Sequence, residues 1–195
     1  MKSEIDTPRY QLAIAAFASG VENPEILRQW IARAAKDKSI SVDLGQGKVS
    51  GGRPGRVNLY SLRSIYRFAI VARLTRLGMS VSVATVAALK FADMGSCAPL
   101  NAPMRKKGTD ISDVMASRPP GELYHTDEWY TYLRMTDKSI AEVIPVPKDG
   151  RMEGLFFGVW SHAASISDTV VLIDLNMLIK EVDSRLSEAI SGVSE

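Results

Sequence analysis

Apolar positions along this chain recur at two spacings: three to four residues apart over long stretches, and two apart in short runs. Tyr10, Ala13, Ile14 and Phe17 predict a helix over residues 8–18, which Ser19-Gly20 breaks. Asn23 then suits a helix cap, and Pro24 suits the first helical position, where its missing N–H costs nothing. In that second helix Leu27, Trp30, Ile31 and Ala34 form the apolar face, leaving Glu25, Arg28, Gln29 and Arg33 on the open side. Ile40–Leu44 and Val57–Tyr60 alternate apolar with polar residues and predict two strands. Ser61 caps a third helix with Leu62, Ile65, Tyr66, Ala69, Ile70 and Leu77 toward the core and Arg63, Arg67, Arg73 and Arg76 outside it. Gly78 ends it, and Ser80 starts a fourth with a stripe of Val83, Val86, Ala87 and Phe91.

The helical period stops at Gly95–Pro103, a stretch with two prolines. Residues 95–121 therefore read as a linker between a front domain, 8–94, and a back domain, 122–195. In the back domain Tyr130–Met135 and Ile140–Ile144 predict a hairpin, Gly154–Trp160 a third strand and Thr169–Asp174 a fourth. Leu175, Leu178, Ile179, Val182, Leu186 and Ile190 then predict a closing helix. The stripe spans about two heptads, which favours packing on the sheet over a coiled coil with a second copy. The fold class is α+β: a helical front with a β-hairpin wing, joined to a small sheet plus helix.

Composition narrows the setting. Hydrophobic residues make up 46% of the chain, and no apolar run approaches the roughly 20 residues that cross a bilayer. No signal peptide is visible at the start, and no membrane partner is expected. Cys97 is the single cysteine, which excludes an internal disulfide and a thiolate zinc site and points to the cytoplasm. His125 and His162 show no ligand spacing, so neither a metal nor a cofactor is implied. Residues 1–96 carry 14 Lys and Arg against 7 Asp and Glu, whereas residues 97–195 carry 10 against 15. A basic half joined to an acidic half suggests nucleic acid at one end only.

The basic residues fall where duplex DNA would meet them. Two short helices joined by a glycine turn form a helix-turn-helix, whose second helix enters the major groove. Arg28 and Arg33 can read guanine or grip phosphate, and Gln29 can read adenine. The loop Gly45–Arg56 carries Lys48, Arg53 and Arg56 with five glycines and no acid, as a wing laid along the backbone requires. Arg63 and Arg67, four residues apart, share one side of the third helix and could clamp phosphates.

The ordered set Gly20-Val21, Leu27-Arg28-Gln29-Trp30, Arg56 to Tyr60 and Leu77-Gly78-Met79-Ser80 resembles the N-terminal winged-helix domain of the MerR family of transcriptional regulators. The resemblance covers roughly residues 9–92. It implies that Arg28 is the main recognition-helix contact. It implies that Arg53 and Arg56 belong to the wing, and that Tyr60 and Arg63 lie near the DNA backbone. The chain departs from the family pattern in a longer Gly20-to-Arg28 interval, a longer wing, and the break at Gly95–Pro103 where the family continues into a dimerising coiled coil.

The back half carries no catalytic motif. His125 with Asp127 and Glu128, and His162 with Ser161 and Ser165, are sequence neighbours without a supporting constellation, and both histidines read as loop residues. Trp129, Tyr130, Tyr132, Phe156, Phe157 and Trp160 form either core or the lining of a ligand pocket. The expected function is a sequence-specific DNA-binding transcriptional regulator, not an enzyme. Its expected partners are double-stranded DNA, a second copy in a homodimer, and a small-molecule or protein effector at the back domain. The alternatives are an interaction or ligand-binding module that does not touch DNA, and a phage-type architectural, excision or packaging protein.

Overall fold

Side-chain caps fix where four of the five described α-helices begin. The computed structural model describes residues 4–36, 58–99, 115–124, 127, 129–136, 141–148 and 170–192. A single 3-10 turn, Glu4–Asp6, precedes α1 (Leu12–Ser19), which ends at Gly20 in the left-handed conformation, φ 75°. The Gly20 and Val21 amides close that end by donating to the Phe17 and Ala16 carbonyls. In α2 (Pro24–Lys36) the Asn23 carboxamide accepts from the Glu25 amide at 2.8 Å. Ser61 caps α3 (Leu62–Arg76) and Ser80 caps α4 (Val81–Ala92), each accepting from the amide three residues on. Gly78, φ 87°, makes the turn between them.

Two antiparallel sheets follow. β1 (Ser96–Pro99) pairs with β2 (Met115–Arg118), Ser96 opposite Arg118. The second sheet has the order β4-β3-β5, built from β3 (Trp129–Thr136), β4 (Ala141–Pro147) and β5 (Val170–Asp174). Leu133 lies opposite Val143 on one side and Ile173 on the other, and Met135 opposite Ala141 and Val171, so one face of the sheet is apolar. Asp174 ends β5 and caps α5 (Leu175–Ser191) by accepting from the Asn176 and Met177 amides at 2.9 and 3.1 Å.

The fold is α+β, and the two halves share one core. Leu133, Met135 and Ile173 of the sheet and Leu175, Leu178, Val182 and Leu186 of α5 join the cluster that contains Ala15, Ile65, Phe68, Ile70 and Phe91. α5 packs on α1 and α3 as well as on β3, so its apolar stripe from Leu175 to Leu186 is spent inside the chain. A helix that must bury its stripe finds α1 and α3 as well as the sheet, so the expected front domain, 8–94, and back domain, 122–195, meet in that core. The stretch read as a linker, 95–121, is regular in part. Its ends are β1 and β2, and Arg118 and Gly121 bind the end of α4.

α3 lies at the centre. Residues 64–72 and Leu74 are buried on all sides of the helix, because α1, α4 and α5 surround it. Four residues expected on apolar faces point outward instead: Phe17 is 45% exposed, Leu77, one residue past its helix, 57%, Val86 41% and Ile190 51%. Among the described residues, no helix is long and apolar enough to cross a membrane.

Candidate nucleic-acid interface

α2 is attached to the body along one narrow line. Leu27 is fully buried, Trp30 and Ile31 are half-buried against the core, and the remaining described positions from Glu25 to Arg33 are exposed. Arg28, Gln29 and Arg33 all lie on this open side. At 3.6 residues per turn the three fall within an arc of about 140° on the side away from Leu27. The Arg28 side chain is 65% exposed and its guanidinium lies 2.5 Å from the Glu25 carboxylate, one turn back. Such an exposed pair contributes less than about 1 kcal/mol and yields readily to a stronger acceptor. Ile26, 41% exposed, borders the face.

The turn into α2 is held from two distant parts of the chain. Arg76, at the end of α3, donates to the Gly20 carbonyl. A Cβ placed on Gly20 would lie 2.6 Å from Nη1 of Arg185, which comes from α5. α5 and α3 are tied in turn by Arg73 to Glu181 at 2.9 Å and by the Tyr66 hydroxyl donating to Asp183 at 3.2 Å. Burial raises the Asp183 carboxyl above its ordinary value, and the hydrogen bond from Tyr66 pulls in the opposite direction. The Gly20 turn that leads into α2 is therefore braced by α3 and α5, while α2 itself packs on α1 and α4. Sequence reading placed Arg76 outside the core face but carried no signal for Arg185, which lies more than 160 residues from the turn it touches.

Three residues expected at the DNA are part of the interior. Tyr60 is 4% exposed, exchanges backbone hydrogen bonds with Tyr10 and meets the Phe68 ring edge-on, with centroids 5.6 Å apart. Arg63 donates to both oxygens of Asp6 and to the Ala92 carbonyl, and its side chain is 14% exposed. Arg67 is 2% exposed and pairs with Asp93. The two arginines do share a side of α3, as their spacing requires, but that side faces the N-terminal turn and the end of α4. Their reading as a phosphate clamp is corrected on that ground: the guanidiniums already hold internal acceptors.

Arg118 joins them at the same place. It donates to the carbonyls of Lys90, Phe91 and Met94 at 2.7, 2.9 and 2.9 Å, and lies 5.0 Å above the Phe91 ring. Burial lowers its pKa from the usual arginine value, with Tyr124 acting in the opposite sense. No feature of the sequence marked Arg118 as a buried residue.

Lys48, Arg53 and Arg56 lie outside the described residues, as do the expected strands Ile40–Leu44 and Gly154–Trp160 and both histidines. Of the aromatic group, Tyr130 is 40% exposed with the Lys148 ammonium 5.3 Å from its ring centre, and Tyr132 is half-buried. Among the described residues no cluster of three His, Cys, Asp or Glu gathers to hold a metal. No protein-family model matches the chain, and no curated protein matches it.

Proposed function

We propose that this protein is a sequence-specific DNA-binding transcriptional regulator in which α1, the Gly20 turn and α2 act as a helix-turn-helix. The observation that carries the reading is the attachment of α2: among its described positions one is fully buried, Leu27, with Arg28, Gln29 and Arg33 left on the open side. A helix of 13 residues is about 20 Å long, and its polar side suits the major groove. Arg28 leaves Glu25 to meet a guanine edge, since a bidentate base contact outweighs an exposed ion pair.

In this reading the basic loop with Lys48, Arg53 and Arg56 follows the flanking backbone. The protein acts in the cytoplasm, by binding rather than by catalysis. It works as a dimer, because one helix-turn-helix reads too few base pairs for strong specificity. Tyr60, Arg63 and Arg67 position the helices and do not touch the duplex.

Mobility shifts on mixed genomic fragments across a salt series, followed by sequencing of the retained DNA, test this. The expected result is a recurring site with two related halves and an affinity that falls steeply with salt. Arg28→Ala should cost about 1–3 kcal/mol at the cognate site and little on random DNA. Equal losses on both would remove Arg28 from base reading, and no retention at low salt would overturn the proposal.

A further inference from the structure

The turn that directs α2 is also the floor of a cleft of about 330 Å³, at the low end of the roughly 300–1,000 Å³ range of small-molecule sites. Phe17, Val21 and Pro24 give it an apolar wall. Phe17 is 45% exposed there, on a helix whose neighbouring Ala15, Ala16 and Ala18 are fully buried. The ring is held out over the cleft at the expense of leaving apolar surface in water.

Two cations face this wall. A Cβ on Gly20 would lie 2.6 Å from Nη1 of Arg185 and 3.7 Å from Nη2 of Arg76, so both guanidiniums converge on one point. Among the described residues their counter-charge is small. Arg76 donates to the Gly20 carbonyl, a neutral acceptor. Arg185 lies 3.8 Å from Oε2 of Glu181, and the same oxygen is 2.9 Å from Arg73. One carboxylate oxygen is thus shared by two guanidiniums, and the nearer of them is not at the cleft. Among the described residues Glu22, exposed on the rim, is the one carboxylate lining the cleft, against two guanidiniums.

We infer that the cleft binds a small organic carboxylate with an apolar body. The head group bridges Arg76 and Arg185, each of which offers a planar pair of N–H donors. The body covers Phe17 and Val21. Such a ligand touches α1, the turn, the end of α3 and α5 at once, so it ties the direction of α2 to the C-terminal helix. The site does not depend on the DNA reading, and its test needs no DNA.

The full-length chain, labelled with nitrogen-15, is titrated with phenylacetate. Acetate has the head without the body, and phenethylamine has the body with the opposite charge. Phenylacetate should shift the Phe17, Gly20 and Val21 amides saturably and bind at least tenfold more tightly than acetate, and phenethylamine should leave those amides in place. Phe17→Ala, at an exposed position in a helix that alanine favours, and Arg185→Gln should each weaken phenylacetate at least tenfold, with the remaining spectrum unchanged. Absence of saturable shifts, shifts elsewhere, acetate binding as tightly as phenylacetate, or wild-type affinity in both variants would each overturn the inference.

Discussion

Arg67 on α3 and Asp93 at the end of α4 form an ion pair in which the arginine side chain is only 2% exposed. Arg67 Nε and Nη1 and Asp93 Oδ2 are buried with no hydrogen-bond partner among the described residues. With Arg63 on the Ala92 carbonyl and Arg118 on those of Lys90, Phe91 and Met94, three arginines close one helix end. That end carries carbonyls without helical partners and the negative pole of the helix dipole, so it draws the cations inward.

Removing one member of the Arg67–Asp93 pair leaves the other as an uncompensated buried charge, which typically costs about 3–5 kcal/mol. Arg67→Ala and Asp93→Ala should each lower unfolding free energy by that order in urea. The pair Arg67→Met with Asp93→Asn should recover most of the loss, because neither charge then remains. A double variant as unstable as the sum of the singles would show that shape, not charge, dominates.

Arg118→Lys should be almost as damaging as Arg118→Ala. One ammonium cannot reproduce the planar fork that reaches three carbonyls and covers the Phe91 ring. A charged hydrogen bond contributes roughly 1.5–3 kcal/mol, so loss of two or more should reduce stability by at least about 3 kcal/mol. Thermal unfolding of the two variants measures this, and a lysine variant within about 1 kcal/mol of wild type would contradict it.

Gly20→Ala combines two penalties: a left-handed φ of 75° and a Cβ 2.6 Å from Arg185 Nη1. The backbone term alone costs about 1–2 kcal/mol. Arg185→Ala in the same chain should remove the collision and leave the backbone term. Chemical denaturation of the single and double variants separates them, and identical losses would mean that Arg185 simply moves aside.

Burial, and next the neighbouring Asp183 carboxylate, lift the Tyr66 hydroxyl well above the ordinary tyrosine pKa; Tyr10 adds a smaller contribution. The folded chain therefore keeps a proton that the unfolded chain releases above about pH 10. The contribution of Tyr66 to stability is whole below that pH and is lost as pH rises toward the folded-state value, at about 1.4 kcal/mol per pH unit. Tyr66→Phe should flatten the alkaline limb of the stability profile by up to that slope. Parallel profiles for the two proteins between pH 9 and 11 would rule the assignment out.

Arg28→Ala, Gln29→Ala and Arg33→Ala lie on the exposed side of α2 and should each change folding stability by less than about 0.5 kcal/mol. Loss of DNA affinity in these variants would then report contact with the duplex. A cooperative unfolding shift larger than about 1 kcal/mol would place the residue in the packing instead.

The helices and most of the second sheet were legible in the chain because their signals are local. Asn23, Ser61 and Ser80 cap through atoms two or three residues away, Gly20 and Gly78 turn the backbone by their own freedom, and the alternation over Tyr130–Met135 specifies a strand by itself. Arg63 and Arg67 were misread because helical periodicity assumes one buried face. α3 is enclosed by α1, α4 and α5, so positions that read as polar surface became interior positions with acids at hand.

Local periods and caps in the sequence determined where α2, α3, α4 and α5 of this protein begin, the strand over Tyr130–Met135, and which side of α2 stays polar. Only the tertiary structure decided that the halves form one core, that α5 reaches back to the Gly20 turn, and that part of the charge asymmetry is answered internally, Arg73 by Glu181. The reason is physical: a cap or a turn is an interaction among neighbours, whereas the partner of a buried charge or an apolar stripe is whichever surface the rest of the chain brings to it.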